Sequence, residues 1–466
     1  MTTTRRIGLL LLLAAALAAA SCGRKGSVRE LSIVPEPLFE VQREGSFTLR
    51  SSPRVSVVGV GQNSATVRYI MQSLRHSKMR PRLVPASRSS DIALALYDTV
   101  NPELADEGYL LEVRSGGVTL RANTERGLFY GFQSLLQMLP PDVTVTSYSA
   151  ISLPECTVLD RPRFGWRGLQ LDASHLAFST KTIKRWVDVA SAYKMNRLWL
   201  NLPSADAAYS EAELQSLAAY AAERHVGVVP MLCDSLADSA MLALFGCDAA
   251  SLPQVCLTQR GGLDSARAGM RVVMSPAGCF DLAVYQADPR YQPGAEPGLT
   301  TLHTTYSYEP APLGTNSHVE ANILGGLCRM STARMDSDRQ AEYMLLPRML
   351  AVGECLWSGR DNKDWTRFRR RVEDQKDRLG VKGYTYCEGS FTPSFTARRV
   401  DDHVANVAIT TEVPNTYIFY TTDLSTPTRR SAIYMGPINL SRGTHIKILP
   451  VYKDQERDSV YEYVIK

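Results

Sequence analysis

The stretch Arg161 to Ser174, RPRFGWRGLQLDAS, limits what this chain can fold into more than any other part of it. Within it, Trp166-Arg167-Gly168-Leu169-Gln170-Leu171-Asp172 alternates and then ends on polar residues. A buried barrel strand whose C-terminal end opens onto a site has that pattern. The residues before it group into one module, and those after it repeat strands and helices. On such a strand Arg167 is expected to point inward as a ligand contact; the alternative is a structural ion pair with a neighbouring carboxylate.

The N-terminus sets the compartment. Arg5 and Arg6 precede an apolar run from Ile7 to Ala20, then Ser21-Cys22. The run is short for a membrane span, and the small residues ahead of Cys22 suit cleavage there. The pattern resembles a bacterial lipoprotein signal over residues 1–21, implying lipidation of Cys22, a tether over 22–30 and a lipid-anchored protein of the bacterial cell envelope, periplasmic or outer surface. An ordinary cleaved secretory signal is the alternative. Losing residues 1–21 takes the formal charge from +5 to +3, since that leader holds two arginines and no acid.

So small a charge on 466 residues, with no basic run interleaved with aromatics, argues against nucleic acid as a partner. The densest basic run, Arg367 to Arg371, reads as the solvated face of a helix. Of nine cysteines, the eight after Cys22 form no C-x-x-C pair. They read as buried thiols first and an occasional disulfide second, and no metal or cofactor is expected.

Length leaves room for about three domains. Leu31 to Pro154 reads as an α+β module, with strands at Ser46–Leu49, Val55–Val58 and Asp91–Leu96 and a helix at Ala65–Arg75. It closes on Glu107-Gly108-Tyr109, Gly117 to Ala122, and the apolar helix Gly127 to Gln137. That run, followed by Asp160-Arg161-Pro162-Arg163-Phe164 and Arg167-Gly168, closely resembles the family 20 glycoside hydrolases, the β-N-acetylhexosaminidases. The likeness extends through Thr182–Asn196, Ala219–Pro230, Met270–Asp288, Tyr306–Pro310 and Glu342–Ser358. It implies a hexosaminidase-like N-terminal domain over 31–154 and a (β/α) TIM-type barrel over 155–386. From Cys387 the composition shifts to Thr, Pro, Tyr and Val, expected to form a β-sandwich over 387–466 like the C-terminal domains of many hexosaminidases and chitobiases.

The resemblance also says where chemistry should sit. In this family the substrate's own acetamido oxygen attacks the anomeric carbon, assisted by an Asp and a general acid Glu in an H-x-G-G-D-E motif. The motif is absent, and the one Asp-Glu dipeptide, Asp106-Glu107, lies in the N-terminal module. Between Pro230 and Val255 there is no room for the fourth and fifth βα units, so the barrel is expected to be incomplete. Asp234 to Ala250 is expected to cover the exposed edge as a short helix or ordered loop. Other family positions have changed as well: Leu200 to Ala205, Leu176, Met231 to Asp234, Gln259, Cys279 and Leu324-Gly325-Gly326 replace acids, histidines and the aromatic cage.

Two positions match family binding residues: Arg167, as the arginine that holds sugar hydroxyls, and Asp281, as the acid of a Y-x-D motif; the two are also candidates to satisfy each other. The reading is a catalytically impaired hexosaminidase-like lipoprotein that recognises N-acetylhexosamine-containing glycans or acts as a scaffold for other surface proteins. The alternative is an active β-N-acetylhexosaminidase whose acids lie between Asp234 and Asp248.

Overall fold

The first module is one mixed sheet: β1 (Arg24–Gly26), β2 (Phe39–Arg50), β3 (Arg54–Val58), β4 (Arg82–Leu83), β5 (Ile92–Leu96), β6 (Tyr109–Arg114), β7 (Gly117–Ala122) and β8 (Tyr148–Asp160). The computed structural model describes residues 24–26 and 30–465, apart from 174, 177, 203–208, 233–234, 248–249, 251, 253–254, 258–260, 454 and 457–459. Strand order is β1-β8-β6-β7-β5-β3-β4, with β2 on the free side of β8. β6 alternates buried and half-buried residues, so one face meets the core and the other stays wetter.

Two helices cover that core face, α1 (Ala65–His76) and α2 (Glu125–Met138). Thr124 caps α2 by accepting from the Arg126 and Gly127 amides. Gly127 is needed where α2 crosses the sheet, because a Cβ there would lie 2.3 Å from the Gly108 carbonyl oxygen. β8 continues six residues past the boundary expected at Pro154 and ends on fully buried Asp160.

The second module begins with β9 (Trp166–Asp172), α3 (Thr180–Ala192), β10 (Arg197–Leu202), α4 (Glu211–Ala222) and β11 (Gly227–Leu232). It continues through β12 (Ser235–Leu236), α5 (Ser239–Leu244), β13 (Val255–Leu257), α6 (Gly262–Arg267), β14 (Val272–Met274) and α7 (Ala277–Phe280). A side ribbon of β15 (Val284–Tyr285) and β16 (Glu296–Leu299) precedes α8 (Leu302–Ser307), α9 (Ser317–Asn322) and β17 (Ile323–Met330). Helices α10 (Asp338–Leu345), α11 (Arg348–Trp357) and α12 (Trp365–Val381) complete it.

The barrel sheet runs β12-β11-β10-β9-β17-β14-β13, parallel throughout except for antiparallel β12. Among the described residues nothing pairs β13 with β11 or β12, so the sheet is an open arc of six parallel strands and not a closed ring. The segment expected to cover the edge does so: Ser235 and Leu236 add a short strand to β11, and α5 comes next. Short antiparallel caps of this kind blunt an edge that would otherwise offer unpaired amides.

The arc has two unlike faces. Leu169 and Leu171 of β9 join Leu198, Leu200, Val228 and Cys328 in the large core packed on Ile183, Trp186 and Val187 of α3. Trp166, Val273 and Leu327 pack with Trp199 and Leu324 on the other face, which would be the lumen of a closed barrel. Gly325 lets β17 approach β9, since its φ is +144° and a Cβ would fall 1.9 Å from the Trp166 carbonyl oxygen.

The C-terminal residues form the expected pair of sheets. One is three-stranded (Ser394–Arg399, Val404–Thr410, Ile438–Ser441), the other five-stranded around His445–Tyr452, and Val407, Ile409, Ile418, Ile446 and Ile448 fill the space between them. Glu412 ties this domain to the barrel by accepting from the His303 amide in α8 at 2.8 Å and from the Ser390 amide at 3.1 Å. The described cysteines Cys156, Cys328, Cys355 and Cys387 are buried free thiols, in line with the expectation.

Candidate functional site

The period of β9 was legible, but its phase was not. Trp166, Gly168, Gln170 and Asp172 share the lumen face, whereas Arg167 shares the opposite face with Leu169 and Leu171. Arg167 therefore does not point inward, and it has no exposed surface. Its Nε donates to the Lys194 carbonyl at 2.6 Å and its Nη1 to the Phe164 carbonyl at 2.7 Å, while Nη2 lies 2.7 Å from Glu107 Oε2. The guanidinium also sits 4.9 Å from the centre of the Trp357 ring.

That arrangement belongs to the seam between the first two modules. Asn196 Nδ2 donates to Glu107 Oε1 at 3.1 Å, and the Arg167 amide donates to Asn196 Oδ1 at 3.0 Å. Beside it, Lys194 Nζ meets Asp160 Oδ2 at 2.7 Å with both side chains fully buried. Trp357 Nε1 donates to the other Asp160 oxygen at 2.8 Å, and the Tyr109 hydroxyl donates to Asp160 at 2.6 Å. Of the two roles open to Arg167, the structure has the ion pair, and its partner is Glu107 rather than Asp281.

Asp281 does lie near the C-terminal strand ends. It comes directly after α7 and bridges Arg329 of β17, with the Leu282 amide donating to the Arg329 carbonyl at 2.7 Å. Its Oδ1 accepts from the Ala283 amide at 3.0 Å, a local turn bond. Burial pushes its carboxyl pKa up, while that amide and Arg329 pull it down. Across β17, Asp172 accepts from Asn201 Nδ2 at 3.1 Å. Thr332 links the rim, donating to the Asp172 carbonyl at 2.7 Å and accepting from the Leu176 amide at 3.2 Å.

Arg329 and Thr332 are thus mouth residues that the sequence pattern does not single out, whereas Asn201 falls in the changed stretch Leu200 to Ala205. The changed cage positions Leu324-Gly325-Gly326 lie instead in the first half of β17, far from its C-terminal end. The residues that end the strand, Arg329 to Ala333, still supply neither tryptophan nor glutamate.

A general acid needs a carboxyl whose pKa is raised toward neutrality and which faces the substrate. The glutamates with raised values are Glu36 (about 7), Glu40, Glu373 and Glu412. Burial is the leading cause in each, and none lies at a barrel strand end. Glu36 and Glu354 flank Arg371, which is 3% exposed, and Arg367 reaches Glu36 and Glu40. The Arg367–Arg371 run is therefore not simply a solvated helix face: it docks α12 against the N-terminal segment. Among the described residues, the C-terminal ends of the parallel strands carry Asp172 and Asp281 as acids and no Asp–Glu pair. Asp234, Asp248, Cys22 and Gln259 lie outside the described residues, and no group of three or more potential metal ligands occurs among those that are described.

An α+β domain docked on a (β/α) barrel with a β-rich C-terminal region defines the architecture, and comparison with known proteins gives its class. The family model "Glycosyl hydrolase family 20, domain 2" matches residues 30–161, and the family 20 catalytic-domain model matches 164–207 and 257–360; a third, "Fn3 associated", matches 407–463. The chain is a glycoside hydrolase family 20 hexosaminidase-like protein.

It is 22% identical to a β-hexosaminidase of Porphyromonas gingivalis over 90% of this chain and 73% of the relative. It is 36% identical to the N,N'-diacetylchitobiase of Vibrio harveyi over 22% of this chain, a stretch that makes up only 11% of that protein. Among solved structures, the Streptomyces plicatus N-acetyl-β-hexosaminidase superposes with a TM-score of 0.66 at 20% identity, covering 77% of this chain and 97% of that one. A Bacteroides fragilis β-N-acetylhexosaminidase superposes at 0.60 and 17% identity, covering 76% and 97%. The gap in the catalytic-domain match, residues 208–256, takes in α4 and β11 as well as the stretch between β11 and β13 where the sheet is open.

Proposed function

We propose that this protein is a non-hydrolytic member of the hexosaminidase-like class, held at the bacterial cell envelope through Cys22, which recognises N-acetylhexosamine-containing glycans at the barrel mouth. The observation that carries this reading is the open arc: the strands between β11 and β13 that would bear an acetamide-orienting Asp and a general acid Glu have no counterpart in the described sheet. A positioned general acid contributes about 10²–10⁴-fold in rate, and electrostatic stabilisation of the developing charge about 10²–10³-fold more. The glycan class is carried over from relatives. Structures of a Streptomyces plicatus β-hexosaminidase and of a Vibrio harveyi exo β-N-acetylglucosaminidase hold N-acetylglucosamine.

The test is release of an aryl alcohol from aryl β-N-acetylglucosaminides, together with calorimetry using N-acetylglucosamine oligomers. Activated aryl groups barely need protonation, so an enzyme lacking only its acid would still cleave them. We expect oligomer binding that Asp281→Asn weakens, with turnover at blank level. Turnover well above blank, abolished by replacing Asp234 or Asp248, would overturn the reading in favour of an active hexosaminidase. Neither binding nor turnover would leave a scaffold for other surface proteins. Cys22→Ser should move the protein from membranes to the soluble fraction.

A further inference from the structure

The open arc leaves its lumen face uncovered at the end opposite the mouth. Trp166, Arg197, Gly227 and Ile323 begin β9, β10, β11 and β17, and a cavity of about 830 Å³ lies over them. In a complete barrel, layers of side chains would fill that space. Here Phe245, Cys247 and Leu252, which come after α5, form part of its wall.

The charges in the cavity do not balance. Arg197 is largely buried, and its Nη1 donates to the Asn196 carbonyl at 2.9 Å. Its guanidinium is stacked 5.0 Å from the Trp166 ring centre. Among the described residues no carboxylate pairs with it, nor with Arg271 at the rim. The one acid in the lining, Glu320, is already held by Arg163 at 2.9 Å. Burial, reinforced by Arg167 behind it, pulls the Arg197 pKa down, as expected of a cation without a counter-charge. Trp166 is 6% exposed, and its Nε1 is buried with no acceptor, as is Trp199 Nε1. Buried cations and indole N–H groups are normally partnered. Two arginines, Arg197 and Arg271, line one cavity without a paired carboxylate among the described residues, and that indicates what the cavity takes.

We propose that this cavity binds an anionic ligand of sugar size, its carboxylate or sulfate held by Arg197 and Arg271, its ring against Val229, Phe245 and Leu252. A bare inorganic anion would leave most of the volume empty, whereas pockets for small organic ligands span about 300–1,000 Å³. The site is independent of the barrel mouth and of the glycan reading given above.

The test titrates the full-length protein by tryptophan fluorescence and calorimetry with glucuronic acid, N-acetylglucosamine 6-sulfate, N-acetylglucosamine and inorganic sulfate. At least one charged sugar is expected to bind about tenfold or more tighter than both the neutral sugar and inorganic sulfate, as a charge-assisted contact allows. Which of the two binds identifies the anion. Arg197→Met should weaken that sugar about tenfold or more and exposed Arg271→Gln several-fold, with the thermal midpoint recorded for each. Should Arg197→Met fail to fold, Arg271→Gln decides. Binding of neutral sugar or inorganic sulfate as tight as that of the charged sugars overturns the proposal. So does full affinity in the folded variants, failure of all four probes, or a loss caused by Asp281→Asn, which would move the ligand to the mouth.

Discussion

The seam between the first two modules and the barrel mouth are built from the same residue types under opposite constraints. At the seam, Lys194, Asp160, Arg167 and Glu107 are buried, and each has an opposite charge within 2.7 Å. At the mouth, Asp281 and Asp172 are partly exposed and are held by an amide proton and an asparagine. A buried charge that loses its partner costs several kcal/mol, whereas water can satisfy a group at the mouth. Losing an acid at the mouth should therefore cost the fold little, whereas losing one partner of the Lys194–Asp160 pair should cost it much.

Lys194→Met is the most forceful way to break this comparison. It leaves Asp160 buried with the neutral donors Trp357, Tyr109 and the Leu38 amide and no cation, and should destabilise by about 3–5 kcal/mol in chemical denaturation. Adding Asp160→Asn should recover part of that loss, read as a coupling energy in a double-mutant cycle. A cost below about 1 kcal/mol for Lys194→Met would erase the contrast between seam and mouth.

Much of the seam was hidden in the sequence for a physical reason. Alternation in Trp166–Asp172 gives the period of a strand, but which face meets the lumen depends on packing partners elsewhere in the chain. For Arg167 the partner is Glu107, in the other module; for Arg371 the partners are Glu36 and Glu354, and Glu36 is more than 300 positions away. Local pattern carries no trace of such pairs, so a buried arginine reads as a ligand contact and a docking helix as a solvated face. The modules were legible because the alternating strand Tyr109–Arg114, the apolar helix Glu125–Met138 and the apolar strand Gly227–Leu232 each carry their signal within one short run of sequence. The missing strands were legible as a shortage of residues between Pro230 and Val255. The uncovered cavity was not, since it is created by what that shortage leaves open.

A pH titration sharpens the comparison at intermediate cost. His225 lies on the seam, its Nε2 3.2 Å from Thr66 Oγ1 and its ring 5.0 Å from Phe129. Burial, then Arg126, lowers its pKa to about 4, with Glu125 and Glu107 opposing. Below about 6.5 the unfolded chain takes up a proton that the folded protein refuses, so stability falls as pH drops from about 6.5 to about 4, by about 2–3 kcal/mol. His225→Asn should flatten that limb. Asparagine tolerates the left-handed backbone at this position, where φ is +55°. An unchanged slope would show that other groups at the seam carry the pH dependence.

Asp281→Asn should have the smallest effect on stability, and its smallness is the point. Burial raises the Asp281 pKa, so the folded protein disfavours the ionised form relative to the unfolded chain. The associated cost is fully present above the folded pKa and disappears as pH falls toward the ordinary aspartate range. Asparagine carries no charge and keeps an oxygen able to accept from the Ala283 amide, so at pH 7 the variant should match wild type or gain slightly, by under about 1 kcal/mol. Below about pH 4 the difference should vanish. A loss of more than about 2 kcal/mol would mean that Asp281 is paired as tightly as Asp160, and the mouth would then be a second seam. A negligible change in stability together with weaker binding of N-acetylglucosamine oligomers would separate the roles cleanly: the charge at the seam holds the modules together, and the charge at the mouth is free to meet a ligand.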